Sequence, residues 1–121
     1  MKKNYTINII DEIVTTRFSK KPNLTEAKNA LDEVLEMGNF RLRLWVLEDG
    51  INLCNEEIEE IARYGKEKWP VPSKAAIVAS DDLSFGIMRV HDVYREHEGH
   101  QIHVFRTEPE ALAWLKEKLE M

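Results

Sequence analysis

A chain of 121 residues is the length of one domain and can bury one apolar core without disulfides or a structural metal. Its 43% hydrophobic and 32% charged residues are those of an ordinary globular protein, and its net charge of -5 argues against general nucleic-acid binding, which needs a basic footprint. The same charge disfavours an anionic membrane surface, and no stretch approaches the ~18 apolar residues of a membrane span.

Residues 4–10 and 13–19 are rich in β-branched side chains and are split by Asp11 and Glu12, which predicts a β-hairpin, although its turn has no glycine. Asn23 stands three residues before Glu26, a capping-box spacing. Leu24, Ala27, Ala30, Leu31, Val34 and Leu35 then recur at helical spacing, so a helix is expected over 24–37, with Gly38 as its stop. Residues 40–47 alternate as a strand. Arg41 and Arg43 on its second face suggest that one end of that face reaches water.

A loop from Glu48 leads to a second helix over 55–68, with Ile58, Ile61, Ala62 and Gly65 on its inner stripe and Pro70 and Pro72 after it. The run Ala75 to Ala79 is apolar without alternation, as in a central strand buried on both faces. Asp81 and Asp82 are expected to cap a helix over 83–98, with a stripe of Phe85, Ile87, Met88, Val90, Val93 and Tyr94 ended by Gly99. Residues 102–105 make a short strand. Thr107 and Glu110 read as the best capping box in the chain, opening a helix that turns Ala111, Leu112, Leu115 and Leu119 to the core, with Trp114 at its edge.

The order β-β-α-β-α-β-α-β-α predicts an α/β domain over residues 1–121. Its sheet should have about five strands, mostly parallel with right-handed crossovers, with an antiparallel N-terminal strand and four helices. The words FGIMR (Phe85 to Arg89) and VFRTEPEALAWL (Val104 to Leu115) carry a further reading. This half of the chain resembles SpoIIAA-like (STAS-related) domains, and the element order agrees with theirs. The resemblance implies a non-catalytic regulatory module that binds another protein through the loop after the third strand. Asp49, Gly50, Asn52 and Cys54 would form that contact surface.

Founding members of the family are switched by phosphorylation of a serine at the corresponding helix start. The matching segment here, Glu48-Asp49-Gly50-Ile51-Asn52-Leu53, holds no serine or threonine, so that switch does not carry over. A related branch encloses apolar ligands, which gives the alternative of a small lipid-like acidic ligand. In that reading Trp69, Phe85, Met88 and Tyr94 line a groove between helices and sheet, and Arg89 holds the acidic head. No cofactor is implied, and a homodimer is one of the expected assemblies.

Other candidates have plainer readings. Asp49, Asp81 and Asp82 resemble the acidic cluster of receiver domains, but the pair follows a late strand and Arg106 stands where a lysine is wanted. Asp82 therefore reads as a helix cap. Arg89 fits a local ion pair with Asp81, Asp82 or Asp92 as well as an anion site. His91, His97, His100 and His103 lack the spacing of a zinc site. Cys54, the only cysteine, allows no intramolecular disulfide and reads as a buried or half-buried structural thiol. The start MKKNYTINIIDE has no long apolar segment of a signal peptide, which together with the lone thiol points to a cytoplasmic, bacterial-type protein.

Overall fold

The computed structural model describes residues 4–38, 40–66, 73–92 and 100–117. In them the expected order is realised as β1 (Tyr5–Ile10), β2 (Ile13–Phe18), α1 (Leu24–Met37), β3 (Leu42–Leu47), α2 (Asn55–Lys66), β4 (Ser73–Ala79), α3 (Asp82–Asp92), β5 (His100–Phe105) and α4 (Glu108–Leu115). The strands form one sheet in the order β1-β2-β3-β4-β5. β1 and β2 pair antiparallel, and β2, β3, β4 and β5 pair parallel, each with its neighbour. The fourth helix ends at Leu115 with Lys116 as its C-cap, short of the expected reach to Leu119. The expected continuations of the second helix to 68 and the third to 98 lie outside the described residues, as do Val93, Gly99 and Leu119.

Each strand reads in two faces, because side chains alternate across a pleated sheet. Tyr5 and Ile7 of β1, Val14 and Phe18 of β2, Trp45 and Leu47 of β3, and Ile77 and Ala79 of β4 join two apolar clusters with Ala30, Leu31 and Val34 of α1 and Ile58 of α2. On the opposite face, α4 is the helix that packs among the described residues. Ala111 and Leu115 are fully buried there against Ile13, Leu44, Val46, Ala76 and Val78. Ala76 is itself fully buried, and its small side chain gives α4 room to approach the sheet.

Three local expectations are corrected. Of the two arginines, Arg41 is exposed at the end of that face, but Arg43 does not reach water: it is 1% exposed, because α1 and α2 cover the face that it shares with Trp45. Its Nη2 lies 3.5 Å from Ser73 Oγ on the neighbouring strand. The fourth strand starts two residues before Ala75 and takes in Ser73 and Lys74, both buried. The complete capping box belongs to α1. The Glu26 amide donates to Asn23 Oδ1 at 2.8 Å, and the Asn23 amide donates to Glu26 Oε1 at 3.1 Å. At α4 the Thr107 hydroxyl accepts the Glu110 amide at 3.4 Å, but the Glu110 carboxylate takes the Thr107 hydroxyl proton instead of the Thr107 amide. A hydroxyl 2.8 Å away competes directly with the backbone for that carboxylate.

α4 is short, and two cations rooted in the sheet hold its ends. At its start, Arg17 of β2 makes a two-pronged contact with Glu108, one arm at 3.1 Å, and Glu48 lies 3.6 Å from the same guanidinium. The hydrogen bond from Arg17 holds the Glu108 carboxyl below the usual carboxylate range. At its end, the buried Lys74 donates to the carbonyls of Trp114 (2.9 Å) and Glu117 (3.2 Å), and its ammonium sits 4.8 Å from the centre of the Trp114 ring. A cation on the last carbonyls complements the negative end of the helix dipole.

The hairpin turn shows how the chain manages without glycine. Asp11 and Glu12 both take positive φ, 52° and 67°, the backbone of a two-residue turn whose twist matches the strands. Aspartate tolerates this conformation, whereas glutamate meets the Cβ penalty in full. Glu12→Gly should therefore raise stability by roughly 1 kcal/mol, read in urea melts, and a loss would mean that the Glu12 side chain supports the turn. Leu115→Ala should cost ~2–5 kcal/mol through the cavity it leaves. Thr107→Ala should cost about 1 kcal/mol as a lost cap. Should the cap variant prove the more damaging, α4 is not packed on the sheet as described.

Candidate protein-docking site

The parallel strands β3 and β4 are neighbours, so the loops leaving their C-terminal ends meet on one edge of the sheet. Ligand and partner contacts of open α/β sheets gather at such ends. Here the two loops are fastened together by Ser84 in the first turn of α3. Its side chain is 2% exposed, and its hydroxyl accepts the Ile51 amide at 3.0 Å. The Ser84 amide donates to Asp81 Oδ2 at 2.9 Å, which makes Asp81 the cap of α3. The two bonds that Asp81 accepts from Ser84, amide first and hydroxyl second, hold its carboxyl below the usual range, and Lys21 adds a smaller pull in the same direction.

Gly50 fits into this joint and nothing larger would. Its φ is 79°, and a Cβ built there would stand 2.7 Å from Ser84 Oγ and 2.8 Å from Asp81 Oδ1. The next residue, Ile51, is buried in the cluster of Tyr5, Phe18, Leu47, Ile58 and Ala79. The loop is thus anchored by one apolar side chain and one buried hydrogen bond. Asp49, Asn52 and Cys54 stand exposed around that anchor.

Cys54 is exposed and not the buried thiol expected, because it occupies the position before α2 where the chain turns outward. Its carbonyl accepts the Ile58 amide at 3.0 Å, and its own amide donates to Glu57 Oε1 at 3.0 Å. The cap of α3 is likewise moved by one residue, from Asp82 to Asp81. Asp82 is exposed and pairs with Arg106 at 2.6 Å, where a pair with Arg89 was one of the expectations. Both arginines flank one ring: Arg106 lies 4.2 Å and Arg89 5.8 Å from the centre of Phe85.

The residues of the apolar-ligand alternative fall as follows. Phe85 and Met88 are half-buried and pack, with Ile87, against the apolar cluster that holds Ile51. Arg89 is exposed on α3. Trp69 and Tyr94 lie outside the described residues. His103 meets Trp114 edge-on at 4.7 Å, and His97 lies outside the described residues. Among the described residues no three metal-ligating side chains converge, and no helix is long and apolar enough to cross a membrane. Sequence reasoning missed Ser84 and Ile51. Ser84 follows Asp81 by three, a spacing too common in helix starts to mark a joint between loops.

The arrangement has the SpoIIAA-like fold. Among solved structures it is similar to a proposed anti-sigma factor antagonist from Thermotoga maritima, with a TM-score of 0.64 and 17% sequence identity over 93% of this chain and 95% of that one. Neither the scan of family models nor the search of curated proteins found a match.

The joint makes a testable demand. Ser84→Ala leaves the buried Ile51 amide without its acceptor and should cost about 1–3 kcal/mol in urea melts. It should also change the acid limb of stability. A carboxyl held low in the folded state contributes stability above its unfolded pKa and loses it as pH falls through the lower folded value, here from about pH 4 downward. Ser84→Ala removes the hydroxyl and keeps the amide, the larger of the two, so it should flatten that limb only in part, and an unchanged acid profile would mean that the hydroxyl does not hold Asp81.

Proposed function

We propose that this chain is a non-catalytic regulatory module that acts by docking another protein. The contact surface is the loop carrying Asp49, Gly50, Asn52 and Cys54 together with the first turn of α2. One observation carries the reading: the exposed residues stand on a loop fixed by the Gly50–Ser84–Asp81 joint, with Ile51 buried beneath them. Docking to a preorganised loop forfeits less conformational entropy than docking to a mobile one. The likeness in fold to a proposed anti-sigma factor antagonist supports the regulatory class by analogy. The loop lacks a serine or threonine, so control by phosphorylation inside it is not part of this proposal.

Two features describe the surface a partner would meet. α2 opens with Glu56 and Glu57 and continues with Glu59 and Glu60, and Asp49 is exposed before it. A partner with basic residues around an uncharged centre fits this surface, since complementary charge speeds encounter and excludes wrong partners. Affinity capture from the native cell, followed by binding titration of the protein recovered, tests the reading. Asp49→Arg and Asn52→Arg should each weaken binding roughly tenfold or more, the effect of about 1.4 kcal/mol at a central contact. Both substitutions are at exposed positions and should leave the melting curve unchanged. Copurification of a tight apolar ligand, with no protein whose binding depends on this loop, would favour the groove near Phe85 and Met88 instead.

A further inference from the structure

Among the described residues no strand pairs with the outer edge of β1, a surface independent of the docking loop. The two-residue turn sets the pairing of β1 with β2, from Tyr5 opposite Phe18 to Ile10 opposite Ile13. In an antiparallel ladder alternate residues turn their backbone N–H and C=O toward the partner strand. At one end the Ser19 amide donates to the Asn4 carbonyl at 2.9 Å, and at the other Ile10 and Ile13 flank the turn. The even-numbered residues Asn4, Thr6, Asn8 and Ile10 therefore face β2, and Ile7 and Ile9 direct their amides and carbonyls to the outer edge.

Sheet edges are usually guarded by charged residues, proline or a bulge. Within YTINII there is no charge and no proline, and the register runs unbroken. Two large apolar side chains also sit there in water, Ile9 at 47% and Ile10 at 64% exposure. We propose that a second copy of this chain adds to this edge, β1 against β1, joining two five-stranded sheets across a two-fold axis at Asn8.

Symmetry and parity choose the register. A two-fold normal to the sheet keeps each face on its own side, so only residues of like parity can meet. Centring on Asn8 places Ile7 opposite Ile9 twice, as hydrogen-bonded pairs on the helix-covered face. Thr6 meets Ile10 twice on the other face, and Asn8 meets its own copy. Both exposed isoleucines are covered. Centring on Ile7 would instead leave Ile10 opposite Asn4 at the end of the ladder. The opposing force is charge, because Glu26 and Glu33 of α1 contact Asn4 and Tyr5 beside this edge and would approach their copies. Added salt screens that repulsion and should tighten the dimer.

Sedimentation of the whole chain at concentrations used for NMR, with and without salt, should show a dimer. Ile9→Pro deletes only an outward amide and should give a monomer with unchanged far-ultraviolet circular dichroism. If that variant loses its fold, Ile9→Lys serves in its place. Leu83→Lys alters the most exposed large apolar residue among the others described, at 72%, and should leave the dimer intact. Asn8→Cys, made with Cys54→Ser, should oxidise to a linked dimer, since non-hydrogen-bonded partners stand about 4.5 Å apart at Cα, within disulfide reach. A monomer at every concentration, a dimer that survives both Ile9 variants, or no crosslink at position 8 would overturn the proposal.

Discussion

The double-sided burial of β3 and β4 is the constraint from which the architecture follows. Ala75, Ala76, Val78 and Ala79 of β4 and Leu44, Val46 and Leu47 of β3 are all buried, on alternate faces. A parallel strand pair in the middle of a sheet exposes no face that can remain wet, so both must be covered by helices. The right-handed crossovers through α1, α2 and α3 all fall on one side. The last helix is then the one described element available for the other side, which explains its two fully buried contacts, Ala111 and Leu115, in a span of eight residues.

The same winding brings two loops together. Because β3 and β4 are adjacent and parallel, their outgoing loops leave the sheet side by side, and a single hydroxyl can serve both. Ser84 links a loop whose residues are exposed for contact with a helix start that is fixed by packing. The buried hydrogen bond is worth little in net energy, but its loss is expensive, and that asymmetry makes the loop conformation specific.

Much of this was legible in the chain. The order of elements, the Asn23–Glu26 box and the unalternating AAIVA run are local patterns, and local patterns survive folding when nothing distant opposes them. What escaped was set by distant partners. Arg43 reads as solvent-facing until α1 and α2 close over it. Lys74 stands outside the apolar run Ala75 to Ala79, yet it belongs to the strand and is buried where α4 ends on it. Asp81 and Asp82 are equivalent caps by type, and Arg106, twenty-four positions on, takes the second and leaves the first to the helix. Cys54 has the chemistry of a core residue, but the backbone at the start of α2 turns it outward. For the loop Asp49 to Cys54, the expectation of a contact surface came from the family resemblance, whereas the fastening of the loop lay in a serine of another helix.

Lys74 carries a consequence for how the domain can be divided. Helix ends are usually specified within a few residues of themselves, by a glycine or a nearby cation. The last turn of α4 contains no basic residue, and the ammonium that takes up its terminal carbonyls comes from a strand forty positions earlier. The segment from Thr107 to Glu117 therefore holds only part of what fixes its end. Grafted beside another sheet it would bring its start signal, its apolar stripe and its own closing amides, from Lys116 to the Leu112 carbonyl and from Glu117 to the Trp114 carbonyl, but leave the charge on its last carbonyls behind. In the same sense position 74 is shared property, at once part of the sheet and part of a helix that has not yet been synthesised when the strand emerges.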